Sequence, residues 1–305
     1  MEVPEEQEET ELDGVKGGAL MLVFGSHLLL NRSTIAHTSV RCEASAAVPC
    51  IAEGGAIFAR RSSKVVVFDS IISACLALSS SETARDDHCA AGGGMAIMYN
   101  AELTATRLRV QHCTARSLSR NRMALGGGIL VRPAVGILTG ASQQEQQQAV
   151  EEASSLVLTL TETHIVACAA TSEGGAGSAW GMRAVGSAGG GVCVDTNSIA
   201  QLTRTTVEAC KVVSTAGAAV GGGVFVASGS TEVELLASEI TTCSAETAST
   251  DVSAHGGGAF VALRGRFHLR VSSITNCTAR SAFFSAGGGL FTLGTTVRVL
   301  ETTMP

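Results

Sequence analysis

Residues 221–255 read GGGVFVASGSTEVELLASEITTCSAETASTDVSAH, and the same arrangement recurs along most of the chain. It consists of a glycine run, three apolar residues, a segment that alternates apolar and polar residues, and an ending of the form aliphatic–x–x–Cys–x–Ala. A repeat of roughly 35 residues is typical of proteins that are built from stacked structural units. This stretch therefore decides the fold, and the rest of the chain can be aligned to it.

Two positions define the register of the repeat: the last glycine of each run, called the glycine mark, and the cysteine of the ending that follows it (threonine in the first unit), called the second mark. From the glycine mark to the second mark the chain runs 19 or 20 residues in six units and 40 residues in the fourth, whereas the return distance varies from 12 to 23 residues. Fixed length indicates packed structure, and variable length indicates surface loops. The glycine runs end at Gly18, Gly55, Gly94, Gly128, Gly191, Gly223, Gly258 and Gly289, and the second marks are Thr38, Cys75, Cys113, Cys168, Cys210, Cys243 and Cys277.

The fixed half of each unit has the pattern of short strands. In the unit quoted above, Val233 and Leu235 flank Glu234, which is the period of two that a half-buried strand shows. Ile240 and Cys243 are an odd number of residues apart, so both can point inward only if a corner lies between them. About three short strands per unit need neighbours for stability, and stacked copies supply them. The sequence predicts an all-β fold, a right-handed parallel β-helix of about seven full rungs and a partial eighth.

The charge distribution divides the chain. The whole chain has a net charge of −6, and residues 1–16 alone carry seven acids and one lysine, so the remaining residues sum to zero. We expect an acidic disordered tail over 1–16 and a single β-helix domain over 17–305, with an insertion at about 136–156 in the fourth unit. Because the chain stops midway through its eighth unit, we expect a fragment or a missing cap.

Several functional classes do not fit this composition. A neutral body lacks the basic footprint that nucleic acid requires. No unbroken apolar run approaches the length of a membrane span, and the apolar stretch at 19–30 has an acidic flank, unlike a secretory signal. The chain has no Cys-x-x-Cys or His-x₃-His spacing for a metal and no phosphate-binding loop, so we predict no metal and no cofactor. The residues leave the location undetermined.

Six cysteines occupy one position of the repeat and predict an inward column, one thiol per rung. Free cysteine often acts as a small buried hydrophobe, and we interpret this structural Cys ladder that way. Cys42 and Cys50 share one loop, where they could pair with each other. The ladder consists of Cys75, Cys113, Cys168, Cys210, Cys243 and Cys277, and the cysteines outside it are Cys42, Cys50, Cys89 and Cys193.

One compact group has acid–base potential: Asp86, Asp87 and His88, in the variable loop of the second unit. A β-helical polysaccharide enzyme places its acids on the strand face of adjacent rungs, and the six aspartates of this chain do not fall into register. We therefore predict no catalytic residue and no enzymatic activity. The alternative is a polysaccharide lyase or glycoside hydrolase of the β-helix class.

The glycine openings carry a family resemblance. They read GGAL at 17–20, GGAI at 54–57, and GGG plus an aliphatic residue later. They resemble the GGA[ILV] repeats of the chlamydial polymorphic outer membrane proteins and, more broadly, pectin-lyase-like β-helices; the second motif here is [IV]xxC instead of FxxN. The resemblance implies display at the cell surface or outside the cell, a structural or adhesive role, and a glycan or another protein as partner.

A further column of large apolar residues predicts a candidate binding surface. The second residue after the final glycine or alanine of each run includes Phe58, Phe225, Phe260 and Phe291, while the fourth includes Arg60 and Asp195. If the strand stays straight to these charges, the phenylalanines face outward and form an apolar contact surface. If the strand turns earlier, or if a loop covers the column, they are buried. Both arrangements are compatible with the sequence.

Overall fold

The computed structural model describes residues 15–42, 51–80, 88–119, 123–132, 156–174, 185–227, 229 and 231–300. All regular elements in these ranges are β-strands, and every strand pair is parallel. The strands form five sheets of seven or eight strands, in which each strand pairs with its equivalents in the adjacent repeats. The predicted parallel β-helix, with about eight rungs, is therefore confirmed.

Each full rung passes through five strands, which we assign to sheets A to E in chain order. Sheet A comprises Val15–Lys16, Ala52–Glu53, His88–Ala91, Met123–Leu125, Val185–Ala188, Ala218–Val220, Ser253–His255 and Phe284–Ala286. Sheet B comprises Leu20–Leu22, Ile57–Ala59, Met95–Met98, Ile129–Arg132, Val192–Val194, Val224–Val226, Ala259–Val261 and Leu290–Thr292. Sheet C comprises His27–Asn31, Lys64–Phe68, Glu102–Thr106, Leu156–Thr161, Ser198–Thr203, Glu232–Leu236, Arg266–Arg270 and Thr296–Leu300.

The two remaining sheets have seven strands each within the described residues. Sheet D comprises Thr34–Ala36, Ile71–Ser73, Arg109–Gln111, His164–Val166, Thr206–Glu208, Glu239–Thr241 and Ser273–Thr275. Sheet E comprises Ser39–Cys42, Leu76–Ser79, Thr114–Ser117, Ala169–Ser172, Lys211–Ser214, Ser244–Thr247 and Thr278–Ser281.

The structure has more strands per rung than the three that the sequence predicts. The alternating segment and the Cys-x-Ala piece are sheets C and E, but the residues between them form the short sheet D. Single residues with positive φ, such as Ala237 (48°) and Thr242 (52°), produce the corners on either side of sheet D. The strand of sheet A lies in the half of variable length, where the sequence alignment carries little signal. The prediction was thus too low by two strands.

The interior of the solenoid is divided into two cores. The larger core lies between sheets B, C and D and contains residues such as Val226, Leu235 and Ile240. The smaller one lies between sheets A and E and consists of alanine and valine side chains, including Val212 and Ala219. Two cores of this kind explain why a chain with 45% hydrophobic residues needs only 4% aromatic ones.

The glycine runs form a waist between the two cores. A Cβ on Gly222, the second glycine of its run, would overlap backbone atoms of Ser244 in sheet E and of Gly257 in the next rung. The same close approach to the first residue of the sheet E strand occurs at Gly55, Gly93, Gly127, Gly190 and Gly257. Glycine at this position lets the two walls of the rung meet backbone to backbone.

Two predicted boundaries fall at the limits of the described residues. The predicted tail 1–16 lies outside them except for Val15–Lys16, which pair with Ala52–Glu53 in sheet A. The predicted insertion over about 136–156 also lies outside the described residues, apart from residue 156, which opens a strand of sheet C.

Candidate functional site

The structural Cys ladder lies inside the solenoid, at the corner between sheets D and E. Each of its cysteines is a free thiol, and all are buried except the half-buried Cys277. Cys243 shows the environment: its Sγ donates to the carbonyl of Thr241 at 3.3 Å and lies 3.6 Å from that of Val207 in the preceding rung. The thiols therefore complete the hydrogen bonding of a corner.

The ladder thiols are packed against the glycine waist. A Cβ on Gly223 would lie 3.1 Å from the Sγ of Cys243, and the third glycines of four other runs show the same relation to their own cysteines. Burial raises the pKa of the Cys210 thiol well above its ordinary value, and the same cause raises the pKa of Cys193. A protonated, buried thiol is a poor nucleophile, so these two cysteines are structural.

The phenylalanine column does not form an exposed surface. Phe58, Phe225 and Phe260 have no solvent-accessible surface, and Phe291 is partly buried. The arrangement in which the column faces solvent is therefore wrong. The physical reason is that side chains of sheet A cover the column: Leu125 and Val220 lie in one apolar cluster with Phe225, Phe260 and Phe291, and Phe58 packs with Ala96 and Met98 in another.

Within that cluster the aromatic rings stack from rung to rung. The centroids of Phe225 and Phe260 are 5.7 Å apart with an interplanar angle of 11°, and those of Phe260 and Phe291 are 5.5 Å apart at 20°. His255 caps the column, with its ring centroid 4.4 Å from that of Phe291. Burial lowers the pKa of His255, so the imidazole is neutral at physiological pH. The column is a stabilising side-chain ladder.

The outer side of sheet C carries a different kind of surface, which we call the threonine face. It is formed by the last two outward positions of each strand in the first five rungs, and none of its residues is charged; the preceding outward position carries His27, Lys64 and Glu102 in the first three rungs. Strand pairing places these side chains in straight columns, with Thr104 beside Thr159 and Thr106 beside Thr161. The threonine face comprises Leu29, Asn31, Val66, Phe68, Thr104, Thr106, Thr159, Thr161, Gln201 and Thr203.

The threonine hydroxyls of this face have no partner among the residues that the structure describes. Hydroxyls at the adjacent corner behave differently. Ser70 Oγ donates to the carbonyl of Phe68 at 2.6 Å, and Ser238 Oγ donates to the carbonyl of Leu202 at 2.9 Å. The corner hydroxyls are thus used by the fold, whereas those of the threonine face are available to a ligand.

A ladder of ion pairs borders the threonine face at the corner between sheets C and D. Asp69 accepts a hydrogen bond from the Nη2 of Arg107 at 2.9 Å, and Glu162 accepts one from the Nη2 of Arg204 at 2.8 Å. Arg107 also lies 3.9 Å from Glu162, which links the two pairs. On the opposite border, Lys64 pairs with Glu102 at 3.6 Å. The flanking charges are therefore largely neutralised within the protein.

Sequence reasoning missed the threonine face, although its signal is present. The segments 102–106 (ELTAT), 158–161 (LTLT) and 201–203 (QLT) place Thr at alternate positions. The period of two identifies the buried residues of each strand, but it assigns the outward residues only to the surface. Only alignment of the strands across rungs shows that these residues form a continuous array.

The predicted acid–base group lies mostly outside the described residues. Asp86 and Asp87 are among the residues not described, and His88 opens a strand of sheet A. In the described part of the chain, no three His, Cys, Asp or Glu side chains converge on a possible metal position. The described ranges also contain no helix of the length and apolarity that a membrane crossing needs.

Comparisons with protein-family models, with curated proteins and with solved structures found no match to this chain.

Proposed function

We propose that this chain is a non-enzymatic β-helix of the cell surface or the extracellular space, with an adhesive role, and that it binds its partner through the threonine face. The observation that carries the proposal is a set of ten uncharged outward side chains on five adjacent strands, in which the threonine hydroxyls of the third to fifth rungs have no partner among the described residues. A glycan or another protein with exposed hydroxyl and amide groups fits such a surface, since each threonine offers a donor, acceptors and a methyl group.

The extracellular location is supported by cysteine chemistry and by the resemblance of the glycine openings to surface-displayed repeats. Cys42 is disulfide-bonded. Disulfides persist in oxidising compartments and are rare in the cytosol. The thiols of the ladder are compatible with the same compartment because the buried members are shielded from oxidants.

One described aspartate beside the threonine face, Asp69, is held charged by an ion pair. The guanidinium of Arg107, by its hydrogen bond and its charge, lowers the pKa of Asp69 below the ordinary value. A general acid needs a raised pKa, which is the opposite shift. The alternative function is a polysaccharide lyase or hydrolase that uses Asp86 or Asp87.

The binding proposal is tested by a charge placed in the middle of the threonine face. We expect wild-type protein to bind on an array of glycans and surface proteins and Thr159→Lys to lose that binding. Thr171→Lys is the matched control, because Thr171 is also half-buried and lies on the outer side of sheet E in the same rung. Equal binding by both variants would place the site elsewhere.

The enzymatic alternative is tested separately. The purified chain is incubated with pectins, alginates and glucans, and new reducing or unsaturated ends are measured. We expect none above the buffer control. Turnover that disappears in Asp86→Ala or Asp87→Ala would establish the alternative and overturn the proposal.

A further inference from the structure

We propose that the ligand of the threonine face is ice. This inference rests on the proposed function, since it names the partner of the same surface. It follows from three properties of that surface: its repeat distances, its side-chain chemistry and its lack of charge.

The repeat distances come from the geometry of the sheet. Adjacent strands of a sheet are about 4.8 Å apart, and outward side chains along a strand recur every two residues, at about 6.7 Å. Thr104, Thr106, Thr159 and Thr161 occupy the four corners of one such rectangle, and Thr203 extends one column into the next rung. Both distances are close to the oxygen repeats on a prism face of ice.

The side chains suit an ordered water lattice. Threonine is β-branched, so its χ1 angle is restricted and its hydroxyl and methyl groups are held in similar positions from rung to rung. The hydroxyls donate to no carbonyl of the described chain, and each can therefore hydrogen-bond to lattice water. The methyl groups, together with the half-buried side chains of Val66 and Phe68, give the face an apolar component.

The charge of the face complements an uncharged solid. The ten residues of the face are uncharged; the neighbouring outward column of the same strands carries Lys64 and Glu102, and Glu234 in the sixth rung is the first charge within the columns of the face. The bordering charges pair with one another across rungs, as in Lys64–Glu102 and Arg204–Glu162. A face that is neutral and bordered by neutralised pairs has no electrostatic preference for an ionic ligand. Ice is a neutral lattice of donors and acceptors.

The test uses the full chain, labelled with a fluorophore on surface amines, and a slowly growing ice hemisphere. We expect wild-type protein to be incorporated into the ice and to inhibit recrystallisation of a frozen sucrose film. Thr159→Lys should lose both activities, whereas Thr171→Lys should retain both. Circular dichroism and the unfolding midpoint establish that each variant is folded.

The outcomes separate this inference from the proposed function. Exclusion of wild-type protein from ice overturns the inference. If glycan or protein binding is then observed and is lost in Thr159→Lys, the proposed function stands with a different partner. A wild-type dimer in sedimentation equilibrium that Thr159→Lys dissociates, without ice incorporation, would instead make the face a contact between two copies. If Thr159→Lys binds ice as wild type does, the assigned face is wrong.

Discussion

At the residue scale, the glycines of one run are not equivalent. Gly221 has a φ of 65°, which favours glycine, and Gly222 abuts backbone on both sides. At Gly223 a Cβ would meet two side-chain atoms, Ile240 Cγ2 at 2.7 Å and Cys243 Sγ at 3.1 Å, and one backbone atom, the carbonyl oxygen of Gly258 at 2.7 Å. The first two rungs carry Ala19 and Ala56 at this third position. The third position therefore tolerates a methyl group if its neighbours adjust.

We accordingly predict that Gly222→Ala is much more destabilising than Gly223→Ala. Overpacking costs about 1–3 kcal/mol where the surroundings can shift, and Ala19 and Ala56 show that a rung accommodates alanine at this position, so this is the expected loss for Gly223→Ala. Rigid backbone cannot move aside, so Gly222→Ala should prevent folding of the rung. Denaturant unfolding measures the first variant, and the yield of soluble, β-rich protein measures the second. Equal losses of stability in the two variants would contradict the backbone-to-backbone packing at Gly222.

The ion pair between Asp69 and Arg107 leads to a second prediction at the residue scale, on how stability depends on pH. Because the folded-state pKa of Asp69 is lowered, its ion pair contributes stability above the ordinary pKa of 3.8, and the contribution is lost as the pH falls through the lowered value. NMR titration of the Asp69 carboxyl should show a midpoint below 3.8. In Arg107→Gln the midpoint should return toward the ordinary value. A midpoint that is the same in both proteins would contradict the pairing.

At the element scale, the two corners of sheet D use one device. In each, a residue with positive φ is followed by a side chain that donates to the carbonyl two residues back: Ser238 to Leu236 at 3.0 Å, and Cys243 to Thr241 at 3.3 Å. The hydroxyl and thiol ladders are thus equivalent parts of the rung. Thiols occur at the corner that faces the glycine waist.

This equivalence predicts opposite preferences at two buried cysteines. At Cys243, serine keeps the donor while valine removes it and adds bulk, so Cys243→Ser should be the more stable variant, by about 1 kcal/mol. Cys193 is fully buried among apolar side chains. There an unpaired hydroxyl costs about 1–3 kcal/mol, so Cys193→Val should be more stable than Cys193→Ser. Unfolding midpoints of the four variants test the reversal, and the same order at both sites would contradict it.

The elements also show what the sequence could and could not predict. The period of two around Glu234 and the odd spacing of Ile240 and Cys243 are local patterns, and both sheet C and its corner follow from them. The burial of Phe260 was not predictable, because it depends on Val220 of sheet A, which lies on the other side of the glycine run and belongs to the variable half. The threonine face depends on contacts between rungs, which no single strand shows.

At the scale of the whole molecule, the rungs differ in burial. Inward-facing side chains of the central rungs are fully buried, whereas those of the first and last rungs are only partly buried, as at Leu28, Leu30 and Val297, and Val299 is 44% exposed. In a solenoid each repeat is stabilised by its two neighbours. A terminal rung of the described structure has only one.

Hydrogen exchange should therefore be graded along the stack. We predict that amides of sheet C in the fourth and fifth rungs, at 156–161 and 198–203, exchange most slowly, and that those at 296–300 exchange fastest. Mass spectrometry of peptic peptides resolves these segments. Uniform protection along the stack would show that the solenoid unfolds as one cooperative unit, contrary to this expectation.

The pairing of every strand with its copy in the next rung also determines how the molecule responds to force. Traction applied at the two ends of the stack acts across the strands, so it opens the hydrogen bonds of one rung at a time and does not shear a whole sheet. Each rung of about 35 residues would release roughly 120 Å of extended chain. Under load the solenoid would lengthen one rung at a time, with a longer step at the fourth unit, and each step would absorb work while the remaining rungs stay folded. A solenoid built this way yields gradually where a sandwich of the same size would rupture at once.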